Sequence, residues 1–169
     1  VVENTHKICE KVKSSNLDSG LVEGSLSSFD FNQNFFFEDR MVLTFSPKAK
    51  IDSKNFTLDS IRNKKWIFRE EGSGTREYLN IFLSNNKITP TQIMVLGSNH
   101  TVKEAIKNNL GVSILSKLVT DSEGDALCTV NLDDTYNRSF SFITPKGIKP
   151  SKTTTLFINE LEKYTSLNK

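Results

Sequence analysis

Apolar residues recur along the chain at two spacings, and each spacing predicts one kind of element. Positions three or four apart share a helix face, and this spacing predicts helices at Thr5–Ser14, around Tyr78–Leu83, around Val102–Ile106 and around Leu156–Tyr164. Short apolar runs between polar residues predict buried strands, which are Leu17–Val22, Trp66–Phe68, Ile93–Leu96, Val112–Leu115, Leu127–Leu132 and Ser139–Ile143. Helices and strands therefore alternate along most of the chain.

The stretch between the predicted strands Leu17–Val22 and Trp66–Phe68 has a different pattern. The segment Phe35–Phe45 is rich in β-forming residues and predicts one long strand or two. It ends before Pro47, because proline has no N–H group to donate to a β-ladder. The polar segment Ser25–Asn34 is predicted to be a loop, and Asp59 is predicted to start a short helix.

Two local signals define the helix predicted after Ser98. Thr101 and Glu104 have the spacing of a capping box, in which side chains and backbone N–H groups satisfy each other at the helix start. Asn109 tolerates the left-handed backbone conformation, so the helix is predicted to end there.

The alternation of strands with helices of about ten residues is typical of an α/β fold, with parallel sheets and ligands at the carboxyl ends of the strands. Two such groups, Thr5–Val22 and Trp66–Leu115, are separated by the segment Phe35–Phe45. We therefore expect two lobes, joined by a strand that crosses between them, with a cleft between the lobes.

Composition narrows the functional classes. The chain has 169 residues, 36% hydrophobic and 25% charged, as in a soluble globular domain. The net charge is only +2 and the lysines are spread along the chain, so we expect no nucleic-acid surface on this segment. No apolar run approaches the roughly 18 residues of a membrane helix, and we expect no membrane association. The start at Val1 has no signal-peptide pattern and resembles the interior of a gene product.

Cysteine and histidine usage predicts no metal site. Cys9 and Cys128 are far apart, no CxxC motif occurs, and only His6 and His100 could assist them. We expect two partly buried thiols in a reducing cytoplasm, no metal and no cofactor.

The sharpest candidate for chemistry is the glycine-rich turn that precedes the second helix. Gly72, Ser73, Gly74 and Thr75 would let backbone N–H groups converge at a helix start, which favours a carboxylate, sulfate or phosphate. Arg76 would add a bidentate partner for the anion. An ordinary strand-to-helix turn with a serine cap accounts for the same residues, and both interpretations stay open.

A second helix start carries a similar set of groups. Ser98, Asn99 and Thr101 would offer hydroxyls and N–H groups at the same sheet edge, although a simple cap explains them as well. Glu23 and Gly24, after the first-lobe strand, would form the facing wall of the cleft.

Enzyme chemistry is poorly supported by the sequence. Neither histidine has the context of a nucleophile–base pair, and GSGTR is neither the GxSxG elbow nor a P-loop. Glu70 and Glu71 are adjacent, so their side chains point apart and are not predicted to act as an acid–base pair. We expect no catalytic residues.

Four segments together resemble the effector-binding domain of LysR-type transcriptional regulators: LDSGLVEG, EDRMVLTFSP, WIFREEGSGTRE and LGSNHTVKEAIKNNLGVSILSK. The resemblance implies a fold like that of type 2 periplasmic binding proteins, with residues 1–36 and 138–169 in the first lobe and 37–137 in the second. It also implies a small metabolite in the cleft, which controls a separate winged helix-turn-helix domain on DNA, and the two helix starts favour an anionic one. Such bacterial regulators act in the cytoplasm as homodimers or homotetramers.

The resemblance assigns ligand contacts to the residues of both helix starts and to Glu23 and Gly24, while three features depart from the family pattern. Ser19 occupies a strand position that is usually apolar, and Asn109 replaces a glycine. The opening strand and helix of the family are expected to precede Val1 and are absent from this chain, so the first lobe is predicted to be incomplete.

Two other functions stay open at this point. A solute-binding protein of the same lobed fold would work outside the cytoplasm and would carry a signal peptide upstream. An enzyme subunit or regulatory lobe from amino-acid biosynthesis would require turnover, for which the residues provide no machinery.

Overall fold

The computed structural model describes residues 1–24, 26 and 30–167. Its α-helices are α1 (Thr5–Lys13), α2 (Asp59–Arg62), α3 (Gly74–Asn85), α4 (Asn99–Lys107), α5 (Lys117–Thr120) and α6 (Lys152–Leu167). Its strands are β1 (Gly20–Glu23), β2 (Phe31–Asp39), β3 (Met41–Phe45), β4 (Trp66–Arg69), β5 (Ile93–Leu96), β6 (Ser113–Ser116), β7 (Cys128–Asn131) and β8 (Arg138–Pro145). Short 3₁₀ turns lie at Pro47–Ala49, Asp121–Ala126 and Asp134–Tyr136. None of the described helices is long and apolar enough to cross a bilayer.

The chain divides into two compact units, and each has its own core. The first unit comprises the described residues of Val1–Glu38 and of the chain from Arg138 onward, and the second comprises Asp39–Asn137.

The first unit contains a three-stranded sheet in the order β1-β8-β2, covered by α1. β1 pairs antiparallel with β8, so that Gly20 lies opposite Ile143. Asn4 caps α1 by accepting a hydrogen bond from the N–H of Lys7 at 3.1 Å. The apolar face of α1, with Ile8 and Val12, packs into the core of this unit.

The second unit combines antiparallel and parallel strands. β3 lies between β6 and β7 and pairs antiparallel with both. β4 and β5 form a parallel pair with α3 between them in sequence, and a parallel bridge from Trp66 to Val112 joins β4 to the start of β6. Trp66, Phe82 and Tyr136 form a chain of aromatic rings in the core, with centroids 6.1 Å and 5.6 Å apart. The α/β class is confirmed, while the sheets are mixed rather than purely parallel.

The predicted loop Ser25–Asn34 is wrong over its last part, because β2 begins at Phe31. Ser25 and Ser27–Phe29 lie outside the described residues. The polar residues of this strand indicate a loop, but they bond to the neighbouring strand instead: Gln33 Nε2 donates to Ser141 Oγ at 2.9 Å. The longer segment that follows forms two strands, since β2 ends at Asp39 and β3 starts at Met41.

Two more strands differ from their predictions. The prediction of a buried β5 is wrong for one of its faces: Met94 and Leu96 pack against a core cluster, while Ile93 and Val95 on the other face are 56% and 52% exposed. β5 is also an edge strand, bonded only to β4 among the described strands. β1 starts at Gly20 rather than Leu17. Asn109 does take the left-handed conformation, with φ 58°. Cys9 and Cys128 are both partly buried, as predicted.

Gly111 is required where the connection from α4 to β6 passes over β4. A Cβ atom at this position would lie 2.5 Å from the carbonyl oxygen of Lys65, a backbone atom that cannot move aside without disturbing β4. The same carbonyl accepts the N–H of Val112 at 2.9 Å, so the close approach and the strand bridge depend on each other.

Replacing Gly111 with alanine is therefore expected to lower the free energy of unfolding by about 1 to 3 kcal/mol, the usual cost of overpacking. Urea denaturation of the two proteins measures this difference. Gly97→Ala is the matched control, since a Cβ there meets no atom within 4 Å. An equal effect of both substitutions would show that the close approach of Gly111 is not the cause.

A partly buried charge cluster joins α4 to the 3₁₀ turn that follows α5. Glu123 accepts hydrogen bonds from Lys103 Nζ at 2.5 Å and from Lys107 Nζ at 3.0 Å. These two bonds, of which the one from Lys103 has the larger effect, hold the pKa of Glu123 below its ordinary value of 4.5. The Glu123 carboxylate thus contributes stability that is present above the ordinary pKa and is lost as the pH falls through the lowered one.

We expect Glu123→Gln to lower the melting temperature at pH 7 and to have a shrinking effect as the pH falls below 4.5. Thermal unfolding across a pH series measures both. The control is Glu160→Gln, which removes a carboxylate from an exposed pair with Lys163 and should change the melting temperature little at any pH. A pH-independent difference for Glu123→Gln would contradict the assignment.

Candidate functional site

The parallel pairing of β4 and β5 brings two helix starts together at one edge of the second unit. Arg69, the last residue of β4, lies opposite Leu96, the last residue of β5. α3 begins at Gly74 and α4 at Asn99, so each helix follows its strand after a short turn. We call this edge, with the first turns of α3 and α4, the helix-start edge.

At the start of α3 a buried hydroxyl has no partner. Ser73 occupies the N-cap position, and its carbonyl accepts the N–H groups of Arg76 and Glu77 at 3.0 Å and 3.3 Å. Its Oγ makes no capping bond, although Ser73 is only 1% exposed, and no other described group bonds to it. Ser73 thus occupies the predicted cap position but makes no capping hydrogen bond. An unsatisfied buried hydroxyl costs free energy. Gly72 before it has φ 79°, as a glycine turn allows.

At the start of α4, by contrast, the hydroxyls are fully used. Ser98 Oγ accepts the N–H of Thr101 at 3.1 Å, and Thr101 Oγ1 accepts the N–H of Ser98 at 3.2 Å. This is a capping box between Ser98 and Thr101. The predicted box between Thr101 and Glu104 is wrong, because the helix begins one turn earlier than that spacing assumes.

Arg69 joins the two helix starts, and the sequence analysis missed it. Its Nε and Nη2 donate to both carboxylate oxygens of Glu70 at 2.8 Å and 2.9 Å, and its Nη1 donates to Asn99 Oδ1 at 2.5 Å. The Arg69 side chain is 11% exposed. The only signal in the sequence was an arginine at the last position of a buried strand, next to a glutamate.

Arg76 is folded back onto β4. Its Nη1 donates to the carbonyl of Arg69 at 3.0 Å, its guanidinium lies 5.4 Å from the centre of the Phe68 ring, and Nη2 is 3.5 Å from Glu71. These contacts fix the end of β4 against the first turn of α3. The bidentate contact of Arg76 with an anion stays a prediction.

The remaining predicted site residues are divided between the units. Gly74 and Thr75 are buried in the first turn of α3. Glu23 and Gly24 end β1 in the first unit, where Glu23 pairs with the buried Arg138 at 2.5 Å. The N–H of Gly24 donates to the carbonyl of Ser139 at 3.1 Å, and its φ is 91°. Their predicted role as a facing wall stays a prediction.

The chemistry available at the helix-start edge is that of anion binding. Two helix N-termini offer backbone N–H groups and positive ends of helix dipoles, and the Ser73 hydroxyl adds a donor. Both arginines there are paired with glutamates. Across residues 1–24, 26 and 30–167, no three His, Cys, Asp or Glu side chains gather as metal ligands would.

The two serine caps should respond differently to alanine. Ser98→Ala removes a capping bond and is expected to lower the free energy of unfolding by about 0.5 to 2 kcal/mol. Ser73→Ala removes a hydroxyl without a partner and should leave the free energy of unfolding unchanged or higher. Denaturant titration of both variants tests this difference. A loss for Ser73→Ala as large as that for Ser98→Ala would contradict the unsatisfied state of Ser73.

Solved structures with the same fold come from regulatory domains. The regulatory domain of Synechocystis PCC6803 CcmR in complex with 2-PG superposes with a TM-score of 0.85 and 24% identity, covering 96% of this chain and 80% of that one. The effector binding domain of QuiR in complex with shikimate has a TM-score of 0.80 and 17% identity, covering 96% of this chain and 78% of that one. These likenesses establish the fold, which is that of LysR effector-binding domains.

Curated relatives are regulators as well. The HTH-type transcriptional regulator CysL of Bacillus subtilis is 30% identical over 166 residues, which are 96% of this chain and 56% of that protein. The HTH-type transcriptional activator CmpR of Synechocystis is 33% identical over 125 residues, 73% of this chain and 41% of that protein. The chain thus spans about half the length of these relatives. The family model for the LysR substrate binding domain matches residues 1–166. The chain belongs to the LysR substrate-binding domain family.

Proposed function

We propose that this chain is the effector-sensing part of a bacterial LysR-type transcriptional regulator and that it binds a small anionic metabolite at the helix-start edge. The observation that carries the proposal is the Ser73 hydroxyl, a buried donor without a partner at the N-terminus of a long helix. A ligand that accepts a hydrogen bond from this hydroxyl would remove the cost of leaving the group unsatisfied.

The charge balance at this edge favours a small anion held mainly by dipoles. Arg69 is compensated by Glu70 at 2.8 Å, whereas Glu71, the partner of Arg76, is 91% exposed and 3.5 Å away. The ligand would therefore be recognised mainly by N–H groups of the α3 start, with Arg76 as the proposed bidentate partner. Because the oxygen of Ser73 is buried, we expect its side chain to rotate about χ1 when the ligand binds. Gly72, Gly74 and Thr75 would form the rest of this turn around the ligand.

The α4 start would form a second wall. Ser98 and Thr101 hold the helix end in place through their capping box, and Asn99 is held by Arg69. We propose Glu23 and Gly24 as further ligand contacts, with residues 1–36 and 138–169 as one lobe and 37–137 as the other. The complexes of CcmR with 2-PG and of QuiR with shikimate support a small-molecule ligand for this class of domain.

For the whole protein we propose transcription control without catalysis. DNA would be bound by a helix-turn-helix domain outside this chain, in a cytoplasmic homodimer or homotetramer. The HTH-type relatives support this proposal over an extracytoplasmic solute-binding protein. The gene sequence preceding the codon for Val1 tests it: a helix-turn-helix supports the regulator, and a signal peptide rejects it.

Ligand binding to the full-length protein tests the site. Thermal shift with sulfate, phosphate and a series of small carboxylates should identify anions that raise the melting temperature. Ser73→Ala is expected to weaken binding of the best anion by about tenfold, the usual value of one hydrogen bond to a charged group. Isothermal titration calorimetry measures the affinity.

Ser84→Ala is the matched control, because Ser84 is exposed at the other end of the same helix and should leave the affinity unchanged. Equal affinities for the Ser73→Ala variant and the unmodified protein would reject the assigned site. Failure of every tested anion to shift the melting temperature would reject an anionic effector.

A further inference from the structure

A second concentration of positive charge lies at the opposite end of β4 from the helix-start edge. Here the 3₁₀ turn Pro47–Ala49, the connection from α2 to β4 and the connection from α4 to β6 surround a cavity of about 310 Å³. Its lining includes four lysines, which are Lys48, Lys50, Lys64 and Lys65, and it includes no carboxylate. We call it the basic cavity.

The strand pairings explain why these three segments meet. β3 runs antiparallel to β6, so the end of β3 and the turn after it lie beside the start of β6. Trp66 bridges to Val112 in parallel, which places Lys65 and Gly111 next to each other before the two strands begin. The basic cavity is therefore built by strand ends of the second unit, on the side away from the starts of α3 and α4.

The lysine charges in the basic cavity are not balanced by nearby acids. Within the described part of the chain, the ammonium groups of Lys48, Lys50 and Lys65 make no hydrogen bond and no ion pair. Lys64 Nζ donates to the carbonyl of Ala49 at 2.8 Å and keeps further N–H donors. Lys103 and Lys107, by contrast, both bind Glu123.

The acids on the neighbouring segments have other partners. Asp52 accepts the N–H groups of Lys54 and Asn55 at 2.8 Å and 3.1 Å and closes its own turn. Asp59 pairs with Arg62 on α2 at 3.3 Å. Unbalanced ammonium groups that share one cavity repel each other, and a multivalent anion would relieve this repulsion.

We propose that the basic cavity binds a phosphate-bearing small molecule with at least two negative charges. A lysine ammonium is a compact point charge with three N–H donors, and phosphate groups offer several acceptor oxygens and more than one negative charge to such a cluster. Ala49, Leu110 and Val112 supply an apolar wall for the organic part of the ligand. The volume lies at the lower end of the range of small-molecule sites. This site is independent of the proposed effector site.

The probe is inorganic pyrophosphate, titrated into the full-length protein at constant ionic strength. Binding should saturate and should shift the amide resonance of Gly111, whose backbone lines the cavity. The double variant Lys50→Gln/Lys65→Gln is expected to weaken this binding by about tenfold or more, because it removes two charges from the cavity. Isothermal titration calorimetry measures the affinity, and thermal unfolding verifies that the variant is folded.

Lys54→Gln/Lys87→Gln is the matched control, since it removes the same net charge from exposed lysines outside the lining. This control should bind pyrophosphate as the unmodified protein does. If Lys50→Gln/Lys65→Gln does not fold, Lys48→Gln/Lys50→Gln replaces it, because both of these side chains are exposed. The Ser73→Ala variant should leave the Gly111 shift intact, which separates this site from the effector site.

Three results would overturn the proposal. Equal weakening in the cavity variant and in the matched control would mean non-specific attraction to positive charge. Absence of saturable binding or of a Gly111 shift would mean that no phosphate site exists there. Succinate binding as tight as that of pyrophosphate would reject the phosphate class.

Discussion

The pairing of β4 with its two neighbours determines where chemistry is possible in the second unit. Parallel pairing with β5 puts the carboxyl ends of two strands side by side, and the helices that follow must then begin at the same edge. The bridge from Trp66 to Val112 brings the connection after α4 against the other end of β4. A single strand of four residues, buried through Trp66, Ile67 and Phe68, thus separates an anion-ready edge from the basic cavity.

The positively charged side chains at the two ends of β4 differ in whether a carboxylate pairs with them. At the helix-start edge, Arg69 and Arg76 are neutralised by Glu70 and Glu71, and their guanidinium groups also hold Asn99 and the β4 backbone. Their main effect is to fix the geometry of the turns. At the basic cavity, no carboxylate of the described residues pairs with the lysine ammonium groups. An anion bound at the first end, as proposed, would be selected by its fit to backbone N–H groups, whereas at the second end its number of charges would decide.

Periodicity predicted most elements of the fold because their apolar faces are buried within one unit. α1 and α3 follow this pattern, and so do β3 and β6. β2 escaped detection in part because its polar side chains bond to a neighbouring strand, which no local pattern reveals. β5 was predicted as buried because its composition resembles that of a core strand, and only the sheet order shows that it is an edge.

The helix-start edge was predictable in position but not in hydrogen bonding. Serine, threonine and glycine after a strand indicate a helix start, and both helices do start after these turns, although α4 begins one turn before the predicted Thr101–Glu104 box. Residue types do not show whether a capping hydroxyl is used, because its use depends on side-chain rotation. Ser98 Oγ accepts the N–H of Thr101, whereas Ser73 Oγ makes no capping bond, although both residues occupy N-cap positions.

The Ser73 hydroxyl and the ammonium groups of Lys48, Lys50 and Lys65 share one property: none has a hydrogen-bond partner among the described residues. A fold under selection for stability alone would cap α3 and would place a carboxylate among the lysines, since both changes need only common residues. The structure forgoes these contacts at two places and makes the corresponding ones nearby, at Ser98 and at Glu123. Because a buried donor without a partner costs free energy and clustered like charges repel each other, the ligands that we propose would stabilise both places.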